Sequence, residues 1–160
     1  MSVCSPVDLK SSSEFVKEGF NRMFDLYYSY ELKKILQKQR ENNPDKIYPE
    51  LKGVYSVIDF DTVFTASHAG YNSVEDYYKD CSPLGRLSEI KHKLEMIFAK
   101  DDPIISERCL EKIPRDMDVL ELNIQSSGGH LGFYSEVTTS FNDKRWLDEH
   151  LFKLAKNICD

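Results

Sequence analysis

The chain predicts an α/β fold built on parallel strands. Three observations carry that prediction: short apolar runs over 94–99 and 119–124, a turn-rich segment after each, and the helical periodicities that alternate with them. Strand, loop, helix, strand, loop, helix is the order expected when parallel strands are joined by crossovers. A length of 160 residues suits a single domain, and 41% hydrophobic with 12% aromatic residues supplies enough apolar material for a core.

Taken in order, residues 3–9 are short, partly apolar and broken at Ser5-Pro6, which reads as the end of a strand entering a loop. A helix is expected over 13–39, where Val16, Phe20, Met23, Phe24, Tyr27, Leu32, Ile35 and Leu36 recur at three- and four-residue steps. Ser13 serves as its N-cap, Asn42-Asn43-Pro44-Asp45 stops it, and its aromatic stripe is expected to face a core or to sit in a cap. Residues 48–69 are mixed, with a short helix or extended piece around 54–64. Ser73 with Asp76 three residues on predicts a capped helix over 74–81, ended by Pro83. The strand over 94–99, a helical turn over 107–112 and the strand over 119–124 follow. An amphipathic helix over 143–158 closes the chain, with Trp146, Leu147, His150, Leu151, Leu154 and Ala155 along one side.

Composition removes several function classes. The net charge is −6 with charges of both signs interspersed, so no basic face for nucleic acid is expected. Cys4, Cys81, Cys109 and Cys159 are scattered, with no C-x-x-C pair and no histidine at finger spacing, which argues against a zinc site and for reduced thiols. No metal and no cofactor is expected. The opening Met1-Ser2-Val3-Cys4-Ser5-Pro6 lacks the basic and apolar regions of a signal peptide, and no apolar run nears the roughly 20 residues a membrane span needs. A cytoplasmic protein is expected, membrane-associated only through an N-terminal region outside these residues.

The candidate chemistry lies just past two strand ends, where the loops of an open parallel sheet converge on a crevice. Asp102 follows the first long strand in Ala-Lys-Asp-Asp-Pro-Ile-Ile, and His130 follows the second in Ser-Ser-Gly-Gly-His-Leu-Gly-Phe. Alone, Asp101-Asp102-Pro103 reads as a solvated turn and His130 as a surface histidine. Together, acid before base at successive strand ends, they form two-thirds of a Ser-His-Asp triad. The glycines before His130 let the backbone approach closely and swing the imidazole over the sheet edge. A weaker alternative is a metal-dependent hydrolase using His130 with Asp101 and Asp102, but His68, His92 and His150 show no ligand spacing with His130.

Phe64-Thr65-Ala66, Gly70-Tyr71, Glu75-Asp76-Tyr77-Tyr78, Cys81-Ser82-Pro83, Ala99-Lys100-Asp101-Asp102-Pro103-Ile104 and Gly128-Gly129-His130-Leu131-Gly132-Phe133 resemble one family in one order. It is the abhydrolase group of α/β-hydrolases, with YheT-like esterases, embryogenesis-associated hydrolases, yeast medium-chain ester synthases and abhydrolase-domain phospholipases. Val3 to Leu9 is similar to its segment leaving the sixth strand, and Trp146-Leu147 to the start of its last helix. Lys93 departs from the proline usual before this strand. The resemblance implies an incomplete α/β-hydrolase fold: one domain over 1–160, residues 10–60 a helical cap insertion, the N-terminal strands and nucleophile elbow missing.

It also implies Asp102 as triad acid, with Asp101 the fallback, and His130 as base. The chain holds no G-x-S-x-G elbow; the nearest glycine spacing, Gly128 to Gly132, centres on His130. The expectation is therefore part of a serine esterase or lipase acting on an ester or lipid, inactive by itself. The alternative is a non-catalytic fragment that binds or regulates a partner.

Overall fold

A computed structural model describes residues 1–159, with side chains through Lys156. Three parallel strands form one sheet in the order β1 (Ser2–Val3), β2 (Leu94–Ala99) and β3 (Leu120–Gln125). The register pairs Ser2 with Met96, and Leu94 through Ala99 with Leu120 through Gln125. The β2 strand has the expected bounds, and β3 lies one residue later than expected.

Strand β2 is enclosed by strands on both edges and by helices on both faces. Ile97, Phe98 and Ala99 are each 0% exposed, which explains a continuous apolar run instead of an alternating one. The two-residue period still sorts the faces. Met96 and Phe98 pack with Val7, Ile105, Leu110 and Ile113, while Ile97 and Ala99 pack with Cys4, Phe133 and Leu147. Each large apolar side chain fully buried here contributes about 1.5–3 kcal/mol.

Between β1 and β2 run helices α1 (Leu9–Phe15), α2 (Arg22–Asn42), α3 (Val57–Phe60), α4 (Ala66–His68) and α5 (Val74–Cys81). A single wide turn over Asp61–Thr65 joins α3 to α4, so residues 57–68 are helical throughout. Ser73 caps α5 as expected, accepting the Asp76 N–H at 3.0 Å, and Pro83 opens a 3-10 turn that ends the helix. The short α6 (Glu107–Leu110) crosses from β2 to β3, and α7 (Trp146–Cys159) closes the chain. It starts later than expected, because Asp143 is spent on the turn before it, accepting from Arg145 N–H and Thr139 Oγ1. Among the described residues no helix is long and apolar enough to cross a membrane.

The expected helix over 13–39 is two helices. Asp8, not Ser13, is the first N-cap, accepting the Ser11 N–H at 3.0 Å; Ser13 is buried inside α1. Gly19, at φ +50, divides α1 from α2. The expected stripe faces a core only in part: Val16 and Leu36 are buried and Leu32 is partly so, but Phe20, Met23 and Tyr27 are 78%, 53% and 59% exposed. The buried stripe of α2 is Asp25, Ser29 and Leu36, with Leu32 partly buried beside them. The cause is polar. Asp25 Oδ1 accepts the Val57 N–H at 2.8 Å and Lys33 donates to the Val54 carbonyl, so α2 turns toward the backbone it satisfies at the start of α3.

Candidate active site

Each of the three strands delivers one residue to the same sheet edge. Cys4 directly follows β1, Asp102 lies in the turn after β2, and His130 lies in the loop after β3. The turn after β2 buries its carboxylate: the Asp102 side chain is 0% exposed, and its Oδ1 accepts the N–H groups of Ile104 at 2.7 Å and Ile105 at 3.0 Å. These bonds fix the carboxylate before the imidazole is considered.

The loop after β3 is shaped by its glycines for two different reasons. Gly129 holds φ +55, in the left-handed region. Gly128 instead lies against the Phe133 ring, which leaves no room for a side chain. Its carbonyl accepts the N–H groups of Gly132 at 2.8 Å and Phe133 at 3.1 Å, closing the loop, and the Phe133 carbonyl accepts the Trp146 N–H at 2.9 Å. Phe133, 2% exposed, anchors the loop in the core cluster shared with Cys4, Ile97, Ala99 and Leu147.

This loop brings the two sequence-predicted residues together. His130 Nδ1 lies 3.0 Å from Asp102 Oδ2 and 3.2 Å from Oδ1. A carboxylate only accepts, so the imidazole donates from Nδ1, and in the neutral ring the lone pair is then on Nε2. The imidazole is 34% exposed, with no hydrogen bond to Nε2 among the described residues. A histidine held in this tautomer by a buried carboxylate is a competent general base.

Asp101 is not at the imidazole. Its Oδ1 accepts the N–H groups of Gly128 at 2.8 Å and Gly129 at 2.9 Å. The alternative metal set of His130, Asp101 and Asp102 therefore does not come together among the described residues; the group that does is Cys4, Asp102 and His130, with ligand atoms within 4.8 Å of one another. Burial first, then the Asp102 charge, pushes the Cys4 thiol up to about 12. Cys4 was not singled out from the sequence, although the rule that found the other two applies to it: it follows a strand end at the same edge. His150 lies elsewhere, with Nε2 at 2.8 Å from Glu95 on the face under α7, and His68 stacks on Phe64.

A cavity of about 270 Å³ opens among α1, α2, α3 and α5, walled chiefly by Pro6, Leu9, Val16, Leu32, Val57 and Ile104. Tyr78 and Asp61 meet at its margin, the phenol donating to Asp61 Oδ2 at 2.7 Å; burial first, then that bond, raises the tyrosine well above its ordinary range. Ile104 is also the residue whose N–H binds Asp102.

No protein-family model matches the chain, and no solved structure does. Curated proteins match over nearly all of it. YheT, a proposed esterase of Escherichia coli (strain K12), is 28% identical over 152 residues, 93% of this chain and 44% of the relative. Monoacylglycerol lipase of Saccharomyces cerevisiae is 28% identical over 169 residues, 100% and 36% of the two chains. The embryogenesis-associated protein EMB8 of Picea glauca is 29% identical over 174 residues, 98% and 36%. The chain thus spans 36% to 44% of the length of these relatives.

Proposed function

Since this chain belongs with the esterases and lipases of the abhydrolase group, we propose that it supplies the acid and base of a serine ester hydrolase. The observation that carries the reading is the buried Asp102 carboxylate 3.0 Å from His130 Nδ1, with Nε2 left free at the C-terminal edge of the sheet. His130 Nε2 takes the proton of a serine hydroxyl as its oxygen bonds to the ester carbonyl carbon. As the tetrahedral intermediate collapses, the carbon–alkoxy bond breaks and the same proton goes to the leaving alcohol. Water then enters by the same route and releases the acid from the acyl-serine. Asp102 holds the tautomer and balances the imidazolium charge at each step.

The nucleophile is a serine outside these 160 residues, since the sequence holds no G-x-S-x-G. Residues 10–60 act as a cap within one domain over 1–160. Support for this comes from the small separate core of Leu36, Val54 and Phe60, which is distinct from both clusters on the sheet. The substrate is an ester with an aliphatic acyl chain, to be tested as a monoacylglycerol, the substrate named for the yeast relative. The apolar cavity beside Ile104 suits such a chain, though at about 270 Å³ it sits just under the roughly 300–1,000 Å³ usual for small-molecule sites.

The test is made on the full-length product. A fluorophosphonate should label one serine in a G-x-S-x-G motif, and monoester hydrolysis should fall roughly 10⁴-fold in Asp102→Asn and at least as far in His130→Ala. Hydrolysis that survives His130→Ala would refute the assignment. The 160-residue chain alone should turn over nothing. Turnover by it that persists in Ser5→Ala and Ser127→Ala, yet vanishes in His130→Ala, would refute the external serine. A full-length product of this length that folds cooperatively and hydrolyses nothing would make it a binding or regulatory partner instead.

A further inference from the structure

Asp101 and Asp102 are neighbours in one turn, yet they reach different parts of the loop after β3. Asp102 meets the imidazole. Asp101 Oδ1 takes two consecutive backbone N–H groups, from Gly128 at 2.8 Å and Gly129 at 2.9 Å, across 27 and 28 residues of sequence. Bonds from amides to a carboxylate are charge-assisted and stronger than neutral ones. Among the described residues, no hydrogen bond joins Asp101 to His130.

The geometry gives these two bonds a specific consequence. Gly129, at φ +55, directly precedes His130, so its orientation sets the direction in which the imidazole leaves the backbone. The bonds within the loop, from Gly128 O to the N–H groups of Gly132 and Phe133, hold its shape. They do not tie it to the strand end that carries Asp102. Buried Phe133 secures the far side of the loop in the core, and the Lys100 N–H on the Gln125 carbonyl secures its root. The near side, where the backbone turns into His130, is held by Asp101.

We infer that Asp101 is a positioning residue: by binding the Gly128 and Gly129 amides it sets the loop so that His130 Nδ1 meets the Asp102 carboxylate. The inference rests on the acid–base reading of His130 and assigns Asp101 a role in it without contact to the reacting atoms. One turn then registers both halves of the pair, Asp102 through the side chain and Asp101 through the backbone.

The readout is the Nδ1–H proton of His130, followed by NMR in the whole chain labelled uniformly with nitrogen-15. The wild type should show a downfield Nδ1–H resonance that is lost in Asp102→Ala. Asp101→Ala should lose it too, with the resonances of β2 and β3 unshifted, while Asp101→Asn, whose amide oxygen still accepts both N–H groups, should retain it. An Nδ1–H resonance unchanged in Asp101→Ala would overturn the inference and leave the acid–base pair standing. A resonance indifferent to Asp102→Ala would sink the pair itself. If Asp101→Ala does not fold, the wild type decides through hydrogen exchange. The Gly128 and Gly129 amides should exchange about ten-fold or more slower than that of Ser127, and equal rates would overturn the inference.

Discussion

Gly128→Ala tests the packing beneath the histidine loop. A Cβ at this position would lie 2.6 Å from Phe133 Cδ1, 2.8 Å from Cε1 and 3.1 Å from the Ala99 Cβ. Ordinary contact begins near 3.4 Å, so the ring must retreat by most of an ångström. It has little space to do so: Phe133 is 2% exposed and enclosed with Cys4, Ile97 and Leu147, and Ala99 belongs to the central strand. Overpacking of this kind costs about 1–3 kcal/mol. The expected loss is about 2 kcal/mol, roughly 30-fold in the folding equilibrium. Urea unfolding followed by fluorescence reads it directly, because the single tryptophan, Trp146, sits 5.9 Å from the Phe133 ring centroid. Gly129→Ala should behave differently. Nothing lies near its Cβ, and its loss of about 1 kcal/mol comes from the left-handed backbone alone. Phe133→Leu, by shortening the side chain, should make Gly128→Ala at least about 1 kcal/mol less costly than in the wild type. Additive losses, or a Gly128→Ala loss under about 0.5 kcal/mol, would refute the packing argument.

Two further outcomes follow from the ionisable groups. Burial by itself would raise Asp8, but bonds from Lys112 Nζ at 2.6 Å and from Ser11 hold it below the usual carboxylate range. A depressed folded pKa means stabilisation that is present above the unfolded value near 4 and is lost as pH falls through the folded one. The urea midpoint should therefore drop more steeply below about pH 4 in the wild type than in Asp8→Asn, which keeps an N-cap acceptor but gives up the Lys112 ion pair and should already have lost about 0.5 kcal/mol at pH 7; parallel curves would contradict this. Iodoacetamide at pH 8 should modify exposed Cys81 and spare Cys4 and Cys109 until the chain unfolds, because burial pushes both thiols up. Peptide mapping that finds Cys4 alkylated as fast as Cys81 would contradict its enclosure beside Asp102. Cys159 lies outside the residues whose side chains are described.

Much of this molecule was legible because its signals are local. The apolar run of β2 has the bounds the sequence predicts, since a strand enclosed on both faces cannot alternate. The cap of α5 was readable because Ser73 and Asp76 meet within one turn. The pairing of Asp102 with His130 was anticipated from chain order and strand ends, and the structure brings the two within 3.0 Å.

What packing alone assigned is long-range. Two stripes on α2 share helical spacing, and periodicity cannot rank them; the Val57 N–H, 32 residues from Asp25, turned the stripe of Asp25, Ser29 and Leu36 inward and left Met23 and Tyr27 outside. Cys4 joins Asp102 and His130 only because three parallel strands end side by side. Asp101 and Asp102 are equivalent as letters in a turn. They are separated by what faces them across the sheet edge, two glycine amides for one and an imidazole for the other. Sequence spacing determined which residues reach that edge. The direction each side chain takes there depended on partners that only the folded chain brings within reach.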